Sequence, residues 1–183
     1  MLQFIAIAAG AAIAGVLGIA ARRPDTFRVQ RSTVIHAPPD AIQPHITNFR
    51  AWVNWSPYER LDPAMKKTFS GPESGPGAVY AWEGNKKAGE GRMEMRESSP
   101  TRVTIQLDFT RPFEAHNMTT FTLQPRGDRT EVTWAMDGPQ PFMQKVMCVF
   151  INMDRLVGKD FEAGLANLKA LAEGQASPAP AQS

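Results

Sequence analysis

The feature that most constrains this chain is one apolar stripe near its C-terminus. In "PFMQKVMCVFINMDRLVGKDFEAGLANLKALAEG", apolar or small residues recur at Phe142, Val146, Phe150, Met153, Val157, Phe161, Gly164, Leu168 and Leu171. The steps are 4, 4, 3, 4, 4, 3, 4 and 3, which is the spacing of one face of a helix. A single long helix over this segment needs an apolar surface of matching length to cover. Gly158 and Gly164 each lower helix propensity by about 1 kcal/mol relative to alanine. They mark either a kink or a place where another backbone or a ligand comes close.

The surface for that helix lies upstream, in a run of alternating segments. "RVTIQLDF" sets Val103, Ile105, Leu107 and Phe109 against Thr104, Gln106 and Asp108, the period of a half-buried strand. "AGEGRMEMRE" puts Met93 and Met95 on one face, "AHNMTTFTLQ" puts Asn117, Thr119, Phe121 and Leu123 together, and "RTEVTWAMDG" does the same for Thr130, Val132, Trp134 and Met136. Short connections such as "EGNKK", "SSPT" and "PRGD" join neighbours in an antiparallel meander. An earlier strand, "FRVQRSTVI", stops at Pro38-Pro39. After it, Ile42, Ile46, Phe49, Trp52 and Val53 fall at helical spacing, and the prolines favour two short helices with a break near Asn48. The expected fold is therefore α+β: a curved antiparallel sheet of about six to seven strands wrapped on a long C-terminal helix, with two short helices after the first strand. A curled sheet gripping one helix leaves room for a cavity between them.

Residues 2–21, "LQFIAIAAGAAIAGVLGIAA", carry no charged side chain. Twenty helical residues span about 30 Å, roughly one hydrocarbon core. The expectation is an N-terminal transmembrane helix, with 1–23 an anchor. Arg22 and Arg23 then place the domain on the cytoplasmic side of a single-pass membrane protein. Signal cleavage near Gly18 and Ala20, with a periplasmic or secreted domain, is the alternative. The folded domain is expected over 26–172, and "EGQASPAPAQS" at 173–183 reads as a disordered tail.

Charge and composition narrow the chemistry. Twenty basic residues against 18 acidic ones give +2, and no basic run with interleaved aromatics supports a nucleic-acid partner. One cysteine, Cys148, excludes an intrachain disulfide. His36, His45 and His116 are scattered with no metal-ligand spacing, so no metal or other cofactor is implied. No Ser/His/Asp or Cys/His order stands out, and Glu59, Asp62, Glu83, Asp108 and Asp154 read as solvated or paired acids, so no catalytic residue is assigned.

The segments "FRVQRSTVIHAPPDAIQPHITNFRAWVNWSPYERLDPAMKKTF", "GPGAVYAWEGN", "GEGRMEM", "VTWAMDG" and "MDRLVGKDFEAGLANLK" resemble the helix-grip SRPBCC superfamily, which includes START domains, and look closest to its bacterial polyketide cyclase/dehydrase-like proteins. The resemblance runs from Phe27 to Leu171. It implies a deep, mostly apolar cavity between sheet and C-terminal helix, with "WVNWSPYERLDP" at its mouth. The candidate ligand-binding residues are Trp52, Trp55 and Tyr58 at that mouth; Trp82, Met93, Met95, Phe109, Asn117, Phe121, Trp134 and Met136 on the sheet; and Phe150, Met153, Val157 and Phe161 on the helix. Plain core packing competes for each apolar one, Trp52 above all. Asn117 needs a partner, either backbone or ligand. Three functions follow. The first is membrane-tethered binding of a hydrophobic small molecule (a lipid, isoprenoid or polyketide-like compound). The second is a cyclase, dehydratase or hydrolase on the same fold, and the third is a non-catalytic interaction or stress-related scaffold whose interior is filled by its own side chains.

Overall fold

The computed structural model describes residues 2–174. Helix α1 (Leu2–Ala21) leads into strand β1 (Thr26–Ile35) and helix α2 (Pro39–Thr47). Two 3-10 segments follow, Phe49–Asn54 and Pro57–Arg60, then strands β2 (Lys66–Ser70), β3 (Val79–Glu83), β4 (Glu90–Ser99), β5 (Arg102–Arg111), β6 (Ala115–Arg126) and β7 (Arg129–Pro139). Helices α3 (Phe142–Phe150) and α4 (Met153–Ala172) end the chain. The seven strands form one antiparallel sheet in the order β1-β7-β6-β5-β4-β3-β2, so only β1 leaves the sequential meander.

Register fixes which side chains share a face. Val29 pairs with Met136 and Arg31 with Trp134; Phe121 also pairs with Trp134, Leu107 with Asn117, Met93 with Leu107 and Tyr80 with Met93. Directly opposed residues point to the same side, so these form one inner face. Helix α4 lies across that face along β1. Phe161 stacks on Trp134 with ring centroids 4.1 Å apart. Gly158 admits the Arg31 guanidinium and Gly164 admits the edge of Trp134, where a β-carbon would come within 2.0 and 2.7 Å of their atoms. The two glycines thus mark close approach, not a kink. Arg31 ties β1 to α4 through Asp154 and Glu162.

Three expectations need correction. The C-terminal stripe is not one helix. Ile151 and Asn152 take extended backbone, and the Asn152 side chain accepts the Arg155 backbone N–H at 2.9 Å, starting α4 afresh. The second short helix is instead a pair of 3-10 turns, because Pro57 and the Asn48 cap limit each run. The N-terminal transmembrane helix is overturned as well: among the described residues no helix is long and apolar enough to cross a membrane. Eight alanines and three glycines make up most of α1, so its length is not matched by apolar area. Its end instead packs on α3 and buries Ala20 fully. The single-pass anchor, the membrane partner and the cytoplasmic placement drawn from it are withdrawn. The expected tail lies outside the described residues from 175 onward.

Candidate functional site

The space beneath the middle of α4 is occupied by rings. Trp52, Trp55, Phe121, Trp134 and Phe161 are all buried, and the other four each meet Trp134. Trp52 and Trp55 sit 4.9 Å apart, Trp55 meets Trp134 edge-on at 5.5 Å, and Phe121 stacks on Trp134 at 5.0 Å. Two indoles find their partners inside the protein. Trp52 Nε1 donates to the Ile46 carbonyl and Trp55 Nε1 to the His45 carbonyl, each at 2.9 Å. A satisfied N–H removes the reason for a tryptophan to reach water, which is why Trp55 belongs to the interior and not to a rim. Met95 closes the same core, and Met93 and Met136 are nearly as buried.

Open space appears beside this core. A cleft of about 450 Å³ lies between β1 and the α3–α4 joint. Its apolar wall is Phe27 and Val29 from the inner face of β1 with Val149, Phe150, Ile151 and Met153 from the joint; its polar members are Arg23, Arg28, Gln140, Asn152 and Asp154. Cys148 also lines it. The extended Ile151–Asn152 pair swings α3 away from the sheet and onto α1, and so uncovers this end of β1. Phe150 is left 74% exposed at the cleft's edge. The cleft's carboxyl group, Asp154, is held below the usual range by its hydrogen bonds from Arg31.

A second group of polar side chains stands at the far edge of the sheet. Lys67 Nζ donates to the Glu59 carboxylate, whose side chain is almost wholly buried. Lys67 lies opposite Trp82 on the inner face, and Tyr80 lies opposite Phe69. Burial, and then the Glu59 charge, pushes the Tyr80 hydroxyl well above its ordinary range. This pair fastens the second 3-10 segment to β2. On α4, burial raises the Asp160 carboxyl, and the neighbouring Tyr58 is raised by its own burial and by the Asp160 charge. Among the described residues, no group of three or more His, Cys, Asp or Glu side chains is placed to hold a metal ion.

The sequence-derived candidates divide four ways. Trp52, Trp55, Met93, Met95, Phe121, Trp134, Met136 and Phe161 lie in the buried core. Tyr58, Trp82 and Val157 are half-buried against it, and Phe109 is half-buried where its ring meets Trp82 edge-on. Phe150 and Met153 line the cleft. Asn117 is buried with its amide oxygen against Gly138, and its neighbour His116 points outward to Asp108. Sequence reasoning missed Phe27, Val29, Gln140 and Ile151 as cleft residues and read Arg23 only as a topology signal. The alternation of Phe27 and Val29 was a usable signal; Gln140, in a connection, offered none.

The chain matches the family model described as polyketide cyclase/dehydrase and lipid transport over residues 26–173. No protein of curated function matches it. Among solved structures it is similar to norcoclaurine synthase from Thalictrum flavum, in complex with dopamine and hydroxybenzaldehyde, at 13% identity over 84% of this chain and 90% of that one, with a TM-score of 0.60. It is also similar to the Aha1 dimer from Colwellia psychrerythraea (15% identity, 80% and 96% covered, TM-score 0.57) and to protein CV1439 from Chromobacterium violaceum (18% identity, 82% and 99% covered, TM-score 0.56). At these identities the solved structures establish the fold alone. The family match spans the sheet, the ring-filled core and α4, and the chain belongs to the polyketide cyclase/dehydrase and lipid transport family.

Proposed function

We propose that this protein binds a hydrophobic small molecule, of lipid, isoprenoid or polyketide-like type, in the cleft between β1 and the α3–α4 joint. The observation that carries the reading is the cleft itself: about 450 Å³ with six apolar side chains on its wall. That volume falls within the roughly 300–1,000 Å³ of small-molecule sites. Membership in a family described by cyclase, dehydrase and lipid transport activities points the same way. Norcoclaurine synthase, with dopamine and hydroxybenzaldehyde bound, is an example of a small aromatic ligand set on this fold.

Catalysis on the same fold has less support. A carboxyl group that acts as general acid near neutral pH needs its pKa raised toward that range, and in the cleft Asp154 is moved the opposite way. Asp160, which is raised, stands outside the cleft lining. The test is native mass spectrometry of the purified full chain, before and after adding a series of apolar compounds, combined with the labelling rate of its one cysteine. One bound molecule per chain and slower labelling of Cys148 are expected. No mass shift with any compound, and unchanged labelling, would overturn the reading.

A further inference from the structure

We propose that the cleft selects an amphipathic ligand with a carboxylate head group, received by Arg23 and Gln140. This rests on the binding function proposed above and specifies the ligand's chemistry. Three charged side chains line the cleft, and two are already committed. Arg28 grips both oxygens of Asp137 at 2.8 Å and also donates to Gln30. Asp154 accepts from Arg31 at 3.0 and 3.1 Å. Arg23, half-buried just past α1, has no side-chain hydrogen bond or ion pair among the described residues. The uncommitted charge of the cleft is therefore positive.

Gln140 supplies the independent observation. It is only 8% exposed and lines the cleft, and its backbone N–H is fixed by the Asp25 carbonyl at 2.7 Å. Its side-chain amide has no hydrogen-bond partner among the described residues, yet it is not among the buried unpaired atoms, so it stays in contact with the solvent of the cleft. An amide in contact with cleft water exchanges that water for a ligand oxygen at little enthalpic loss. A guanidinium fork and an amide N–H converge well on a carboxylate, which accepts two parallel bonds from arginine and has lone pairs left for the amide. A phosphate dianion is a poorer match, because the one uncommitted cation among the cleft-lining residues balances a single negative charge. With the head held there, the apolar body lies along Phe27, Val29, Ile151 and Met153.

The experiment compares dodecanoic acid with dodecan-1-ol, two probes of equal chain length, on the full-length protein at neutral pH and below their aggregation concentrations. The acid is expected to bind at least tenfold more tightly. Arg23→Gln should erase that preference, Arg23→Lys should keep part of it, and Gln140→Leu should reduce it severalfold. Circular dichroism checks that each variant is folded; if Arg23→Gln is not, Gln140→Leu carries the test. Equal binding of acid and alcohol overturns the head-group proposal and leaves the apolar site standing. A preference that persists in both Arg23→Gln and Gln140→Leu overturns it too. Binding of neither probe overturns both the head-group proposal and the function on which it rests.

Discussion

Replacing Gly164 by alanine tests whether the interior beneath α4 is sealed. In an open helix the change stabilises by about 1 kcal/mol, because glycine gives up more backbone freedom. Here the new β-carbon would lie 2.7 Å from Trp134 Cζ3 and 3.2 Å from Pro57 Cδ. The indole cannot retreat, since Phe161 stacks on it at 4.1 Å and Phe121 at 5.0 Å. Overpacking of this kind costs about 1–3 kcal/mol, and a ring held on both sides puts the cost near the upper end. Subtracting the propensity gain leaves a net loss of about 2 kcal/mol. Gly158→Ala is the matched control. Its β-carbon meets the tip of Arg31, a flexible side chain paired with the exposed carboxylates of Asp154 and Glu162, so the conflict is relieved by rotation and the loss is under about 1 kcal/mol. Urea denaturation of both variants measures the difference, read from midpoints at unchanged slope. A stabilised Gly164→Ala would mean that α4 rides above a void, and the ligand site would then lie beneath α4 and not in the cleft beside β1.

Further outcomes follow from other contacts. Lys67→Met strands the buried Glu59 carboxylate beside Tyr80 and should cost about 2 kcal/mol, below the full buried-pair value because Lys67 is partly exposed; thermal melting reads it, and Glu59→Gln should cost less. Trp55→Phe leaves the His45 carbonyl without its indole donor and should cost about 1–3 kcal/mol by urea denaturation. NMR titration should find His45 below the ordinary imidazole value of about 6.5 and His116 above it, because burial lowers the first and the hydrogen bond to Asp108 raises the second. The His116 contribution to stability is therefore complete below about 6.5 and is lost as pH climbs through its raised value.

Most of the strands were legible because one face is buried. In β5 the alternation of Val103, Ile105 and Leu107 with polar neighbours gives the inner side directly, and the register agrees. What a face packs against was not legible. Periodicity reports that Trp55, Phe121 and Trp134 turn inward; it cannot tell whether they wall a cavity or fill it, since both need apolar side chains at the same positions. The rings fill it here because five large aromatics converge on one spot from three parts of the chain. The break in the C-terminal stripe was hidden for a different reason. Phe150 and Met153 are three apart, so the stripe stays in phase across Ile151 and Asn152. The usable signal was local: an asparagine followed two residues later by an aspartate is how a helix begins.

That same asparagine decides whether the cleft exists. A helix continuous from α3 into α4 would carry the cleft-lining Ile151 and Asn152 in helical backbone and would turn α3 away from α1. The observed joint is extended, and the uncovered end of β1 forms the wall of the cleft. Asn152→Leu removes the cap, worth about 1 kcal/mol, and places a strong helix former at the joint. Amide hydrogen exchange should then show new protection from Ile151 to Arg155, far-ultraviolet circular dichroism should gain helical signal, and binding of an apolar probe should fall together with them. Asn152→Asp separates the two effects, because aspartate still caps and keeps the joint open. If Asn152→Leu fused the helices and left probe binding unchanged, the ligand would have to sit elsewhere on the sheet, and the half-buried surface of Trp82, Leu107 and Phe109 would be the place to look.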